Sequence, residues 1–174
     1  MALPINIELL IKQRIVENSR IDYKKNWNPE DIIHSICAFA NDIDNWGGGY
    51  IVVGIEEING MPKFPISGLE KNSIDNINKE LLQYCNLIEP RYLPIVEQTQ
   101  IEGKEILVIW CPGGDTRPYK APVQIYNQRG TKKEYAYYIR KMSNTIRANQ
   151  LEEKELMMLA NNVPYDDRIN YQSK

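Results

Sequence analysis

Glu17, Asp22, Lys24, Glu56 and Glu57 are the residues of this chain best suited to chemistry. Hydrolysing a phosphodiester with a divalent metal takes two or three carboxylates converging on Mg²⁺ or Mn²⁺. A lysine nearby stabilises the charge that develops on the phosphate. Asp22 and Lys24 stand two apart in RIDYKK, alternating with Ile21 and Tyr23, so on a strand they share a face. Glu57, or Glu56, ends the apolar run of residues 50–55, which reads as the neighbouring strand, and Glu17 lies just before the first strand. The plainer reading is that these acids are solvated at strand ends. Asp22 and Lys24 would then form a surface ion pair worth at most about 1 kcal/mol. Spacing alone leaves both open.

A second candidate is basic. Residues 112–150 hold eight cations (Arg117, Lys120, Arg129, Lys132, Lys133, Arg140, Lys141, Arg147) against the two acids Asp115 and Glu134, a local charge of +6. The whole chain carries −2, so the remainder is near −8, an asymmetry that can give the molecule one positive face. Tyr119, Tyr126, Tyr135, Tyr137 and Tyr138 interleave with these cations, and tyrosines beside arginines and lysines can stack bases while the cations meet phosphates. A solvated hairpin with core tyrosines explains the same pattern.

Other motifs carry less. Gly47-Gly48-Gly49 is followed by no Lys-Ser or Lys-Thr and precedes a strand, whereas a phosphate-binding loop opens a helix. It reads as a tight helix-to-strand turn. His34 is the sole histidine, so it builds no histidine metal site, and it reads as a helix-surface residue. Cys37, Cys85 and Cys111 are odd in number and widely spaced, which fits reduced cysteines packed as small hydrophobes in the cytoplasm. The longest apolar runs are far short of the roughly 20 residues that span a bilayer, so no membrane partner is expected. The start has neither a basic region nor a small-residue cleavage site, and no signal peptide is expected.

The elements that must position these residues follow from periodicity. Residues 5–16 place Ile5, Leu9 and Ile15 near helical spacing, and residues 20–25 alternate as a strand. Asn28 as N-cap, Pro29 at the first helical position and Glu30 and Asp31 in the first turn open an amphipathic helix with Ile32, Ile33, Ile36, Cys37, Phe39 and Ala40 on one face. The strand at 50–55 reads as buried on both faces. Asn59-Gly60 is a turn; Ser73 caps a helix carrying Ile74, Ile77, Leu81, Leu82 and Cys85. Residues 94–101 and 104–111 flank Glu102-Gly103 as a hairpin. Further strands are expected near 123–126 and 135–140, and a last helix from Asn144 or Thr145. The expectation is an α/β (α+β) fold with a β-α-β-α-β-β core, an added β-hairpin and a C-terminal helix. Residues 1–12 form an N-terminal helical extension, 13–160 the domain, and 161–174 an exposed tail or truncated linker.

The strings ENSRIDYK (17–24), SICAFAND (35–42), GGGYIVVGIEE (47–57), RPY (117–119) and YYIRKMSNT (137–145) together resemble the Schlafen AlbA_2 family over roughly residues 13–160. The derived strand order also fits the Alba-like core for which that family is named. The resemblance implies a DNA-binding domain, the N-terminal module of bacterial proteins labelled transcriptional regulators. Nucleic acid, DNA ahead of RNA, is the implied partner, with no cofactor required for binding. On that reading Lys24, Lys25, Arg117, Lys120, Lys132, Lys133, Arg140 and Lys141 contact phosphates, and nearby tyrosines, Tyr119 among them, stack. Some bacterial members are labelled ATPases, but without a phosphate-binding loop ATP is not expected. Animal relatives include RNA endonucleases with three active-site carboxylates. Glu17 and Asp22 match the first two positions, and Glu56-Glu57 the region of the third. Asp22 stands where the family more often has Glu, and Glu-Glu where Asp-Asp is common, which changes reach by a methylene. The enzyme alternative is thus a Mg²⁺- or Mn²⁺-dependent nuclease with Glu17, Asp22 and Glu57 as ligands and Lys24 at the scissile phosphate. The animal enzymes pair two lobes, so a homodimer would be needed for a comparable groove. A protein-interaction or oligomerisation module is the third class.

Overall fold

The computed structural model describes residues 3, 5–12, 18–126 and 133–161. Its centre is a four-stranded sheet made of β1 (Ile21–Lys24), β2 (Gly49–Val53), β5 (Ile95–Ile101) and β6 (Lys104–Cys111), in the spatial order β1-β2-β6-β5. β1 and β2 run parallel, joined by helix α2 (Pro29–Asn41), and the other pairs are antiparallel. Period-two alternation divides the sheet between two cores. Ile51, Val53, Leu107 and Ile109 pack beneath α2 and α3 (Ile74–Cys85). Ile21, Tyr23, Tyr50, Val52 and Val108 pack on the opposite side with α1 (Ile7–Lys12). Ile51, Val52 and Val53 are wholly buried, each worth about 1.5–3 kcal/mol relative to an exposed side chain. This is the strand read as buried on both faces.

Two short hairpin turns follow the expected chemistry. Asn59-Gly60 (φ 52° and 77°) joins β3 (Glu57–Ile58) to β4 (Met61–Pro62), and Glu102-Gly103 (φ 54° and 77°) joins β5 to β6. Positive φ at both central residues matches the twist of the flanking strands. In the triple glycine, Gly47 serves a positive φ of 92°, while Gly48 and Gly49 are a matter of space. A Cβ on Gly48 would lie 1.9 Å from the carbonyl oxygen of Cys111, and one on Gly49 2.2 Å from the Phe39 ring. Only glycine lets β2 start this close to α2 and β6.

Several expectations need correction. α1 buries Ile7, Leu10 and Ile11 while Leu9 is exposed, and Ile15 lies outside the described residues. On α3, Leu82 is 53% exposed, off the face that Ile74, Ile77, Leu81 and Cys85 bury. Ser73 caps no backbone amide; its hydroxyl donates to the Glu70 carbonyl oxygen, 2.7 Å away. Asn28 occupies the N-cap position, but its side-chain amide donates to the Asp31 carboxylate at 2.8 Å. The C-terminal third differs most. A second, three-stranded sheet forms from β7 (Lys120–Pro122), β8 (Tyr135–Lys141) and β9 (Asn144–Arg147), so residues 123–126 are not a strand and 144–147 are not helical. β9 returns along β8 as a hairpin, and α4 (Gln150–Asn161) begins only afterwards. Its start is a capping box. Asn149 Oδ1 accepts from the Glu152 N–H (2.9 Å), and the Asn149 N–H donates to Glu152 Oε1 (3.0 Å).

Candidate functional site

Asp22 lies on edge strand β1, facing α2 as Ile51 does beside it in register. It is only 7% exposed, so its charge must be met inside the protein. Ser35 on α2, also buried, donates its hydroxyl to Asp22 Oδ2 at 2.7 Å. Lys24 Nζ stands 3.6 Å from Oδ1, and Arg140 Nη1 on β8 stands 3.6 Å from Oδ2. Arg140 Nη1 also donates to Thr145 Oγ1 on β9 (2.9 Å), which lies 2.8 Å from Ser35 Oγ. A guanidinium only donates and a carboxylate only accepts. The two hydroxyls between them therefore point one way, Thr145 donating to Ser35 and Ser35 to Asp22.

Arg140 is 8% exposed, with its guanidinium 4.9 Å from the Phe39 ring centroid and Nε donating to the Ser19 carbonyl oxygen at 3.4 Å. Burial lowers its pKa, opposed by Asp22 and Glu57. Its Nη2 is buried and has no hydrogen-bond partner among the described residues. Glu57, exposed at the start of β3 and not at the end of β2, lines the same cavity, and its pKa is raised first by partial desolvation there and then by Asp22, against Arg140 and Lys24. Asp22, Lys24, Glu57 and Arg140 line one cavity of about 310 Å³, closed on one side by Ser143, Asn144 and Thr145 of the β8–β9 hairpin.

The structure thus gathers Asp22, Lys24, Glu57 and Arg140 and sends other expected site residues elsewhere. Glu56 pairs with Lys63 at 3.5 Å. Arg117 Nη1 donates to the carbonyl oxygens of Asn41 (3.4 Å) and Asp42 (3.2 Å) at the end of α2. Lys120 sits 3.6 Å from the Glu89 carboxylate and 5.4 Å over the Tyr135 ring, lining a different hollow. Tyr119 is 3% exposed, edge-on to Tyr92, so its ring belongs to the core. Tyr138 is buried too, stacked on His34 (centroids 4.0 Å apart), whose Nε2 lies 2.8 Å from the Pro122 carbonyl oxygen. Lys25 is exposed, and Lys133 and Lys141 are partly exposed. Glu17 and Lys132 lie outside the described residues. Ser35 and Thr145 are the members that periodicity misses. Ser35 had a signal: it is a polar residue beside the apolar positions of α2. Thr145 had none in periodicity, because its stretch reads as a helix start, and its one signal is its place in the YYIRKMSNT string.

Carboxylates caged by donors in a polar recess, set between a helix and an appended hairpin, define a site-bearing α+β domain. The chain belongs to the Schlafen AlbA_2 family, whose model matches residues 17–149. No curated protein matches it. Among solved structures it is similar to the DIP2311 protein of Corynebacterium diphtheriae, with 18% identity and a TM-score of 0.53 over 82% of this chain. The aligned part spans 28% of that protein. The N-terminal domain of a RecG-related protein from Nitrosomonas europaea is also similar, at 24% identity and a TM-score of 0.47, covering 62% of this chain and 69% of that one. The former likeness is one of fold. Among the described residues no helix is long and apolar enough to cross a membrane.

Proposed function

We propose that this chain is a nucleic-acid-binding module, with DNA as its first partner and transcriptional regulation as its setting. The observation that carries the reading is the polar cavity at the ends of β1 and β8. Lys24 and Arg140 line it, and Lys25 and Lys141 follow them directly in the chain. Cations at two strand ends around a polar recess suit a phosphate backbone. Membership of the Schlafen AlbA_2 family supports the same reading. The test is retention of labelled single- and double-stranded DNA and a structured RNA across a salt series. Salt-sensitive retention is expected; none at low salt would overturn the proposal.

A metal-dependent endoribonuclease is the second reading, favoured by Asp22 and Glu57 sharing a cavity with Lys24. The described residues do not by themselves fit a divalent ion. Asp22 already faces Lys24 at one oxygen and Ser35 and Arg140 at the other, and no three His, Cys, Asp or Glu side chains group around a common point among the described residues. This reading requires Glu17 as a further ligand and release of Asp22 from its cations. Mn²⁺-dependent cleavage that Asp22→Asn abolishes while binding persists would establish it; intact substrate with Mn²⁺ would remove it.

A further inference from the structure

The central sheet ends on β5, and among the described residues no strand or bridge pairs with the outer side of that strand. An edge strand presents a row of unpaired N–H and C=O groups, which proteins commonly blunt with charge, proline, a bulge or a covering segment. β5 runs for seven residues, Ile95–Ile101, in unbroken register with β6, and Glu97 is its one charged residue. Ile101 and Lys104 close the two-residue turn and so form a hydrogen-bonded pair. By alternation Ile95, Glu97, Thr99 and Ile101 bond to β6, while Val96, Gln98 and Gln100 turn their N–H and C=O groups outward. The Gln98 and Gln100 side chains do not fold over these groups. They reach back to the Glu105 carboxylate on β6, at 3.0 and 2.5 Å. On one face, Leu3 and residues 5–8 leave a hollow of about 390 Å³ against Glu97 and Thr99 and make no backbone bond to β5.

The strand that fits this edge best is β5 itself. An added antiparallel strand must set outward residue against outward residue. About a two-fold axis through Gln98, all seven residues pair in that way. Gln98 then meets Gln98 of the second copy, Val96 meets Gln100, Ile95 meets Ile101, and Glu97 meets Thr99. Residues directly opposite share a face and interact, and here no like charges oppose each other. Moving the axis one residue either way shortens the ladder, and an axis at Glu97 sets two carboxylates against each other.

We propose that β5 is a dimer edge. It pairs antiparallel with β5 of a second copy about an axis through Gln98, and two four-stranded sheets become one. Because opposite residues share a face, both α2 helices cover the same side of the joined sheet. The two Asp22 cavities then stand at its outer edges, on β1. The edge lies at the far side of the sheet from β1, so the dimer is tested apart from the nucleic-acid reading.

Seven residues a side make a small contact, and reversible association in the micromolar range or weaker is expected. Sedimentation of the whole chain from micromolar to near-millimolar concentration measures it, with the parent, Thr99→Lys and Thr99→Glu compared. Residue 99 faces Glu97 twice in the dimer. Thr99→Lys should therefore associate roughly fivefold more tightly than the parent, and Thr99→Glu roughly fivefold more weakly. Amide exchange at Val96, Gln98 and Gln100 should slow as concentration rises. Exchange at Glu97 and Ile101, whose N–H groups bond to β6, should stay slow in Thr99→Glu, which shows the hairpin intact. A single chain at every concentration would overturn the proposal. So would a dimer whose Thr99 variants match the parent, since its axis then lies elsewhere. Slow outward amides in a chain that stays single would give the edge to another segment of the same chain and overturn the second copy as its occupant.

Discussion

A carboxylate as deep as Asp22 is tolerable only because β1, α2 and β8 each bring it a donor, Lys24, Ser35 and Arg140. Removing one member of a buried charge pair costs about 3–5 kcal/mol, because the survivor is left uncompensated. The same cluster sets the behaviour of Glu57, whose pKa is raised by partial desolvation and by Asp22. The folded chain then holds the Glu57 proton more tightly than the unfolded chain does. Stability from this group is therefore present at low pH and falls as pH rises to the folded-state pKa. Asp22→Asn removes a repelling charge and frees Lys24 and Arg140, so both changes push Glu57 back towards the ordinary range. Carboxyl ¹³C titration should place the Glu57 midpoint above that of an ordinary glutamate in the parent and lower in Asp22→Asn. Equal midpoints in the two would remove the coupling.

Elements are joined here by few, specific polar ties. Asn41, the last residue of α2, is wholly buried, and its Nδ2 donates to the carbonyl oxygens of Tyr119 (2.9 Å) and Tyr138 (2.7 Å). Its Oδ1 accepts from the Tyr119 N–H at 2.6 Å. One side chain thus fastens the helix to the chain entering β7 and to β8, the strand that carries Arg140. Asn41→Ala takes this partner from the Tyr119 N–H and the Tyr138 carbonyl and leaves the Tyr119 carbonyl only the Cys37 thiol at 3.4 Å, which should cost about 3 kcal/mol in urea unfolding. A loss no larger than that of an exposed alanine substitution would show that water replaces the tie. At α4, Asn149→Ala breaks the capping box and should cost about 1 kcal/mol, read as faster amide exchange in the first turn of that helix with β8 unaffected.

At the scale of the molecule, the positive stretch is smaller in space than in sequence. Arg117 is spent on the end of α2, Lys120 on Glu89, Arg140 on Asp22 and Arg147 on Glu134. Lys25, Lys133 and Lys141 have no ion pair among the described residues and remain for solution. Electrostatic binding should therefore depend on these more than on the paired cations. Changing Lys25 and Lys141 together to Glu should reduce the slope of log K against log salt for duplex DNA by nearly two units, about 0.9 per lost phosphate contact. Lys120→Glu should alter it less. Equal effects from the two variants would mean that the face is set by net charge and not by which cations are unpaired.

Local signals sufficed wherever one element carries its own pattern. The alternation at Ile21–Lys24, the caps and apolar face of α2, the doubly buried β2 and the Glu102-Gly103 hairpin all follow from neighbours within a few residues. The shared face of Asp22 and Lys24, and the glycines at the start of β2, were legible for the same reason. What needed the tertiary structure was every relation between distant segments. Asn144–Arg147 reads as a helix start because its β partner lies in Tyr135–Lys141, and no local period records that pairing. Tyr119 and Arg117 read as surface contacts because a tyrosine and an arginine carry the same local signal whether they meet a base or Asn41. The cavity itself joins residues from β1, α2, β3 and the β8–β9 hairpin. Their convergence is decided by how a helix and a hairpin pack on a sheet, which is a long-range property that residue spacing does not encode.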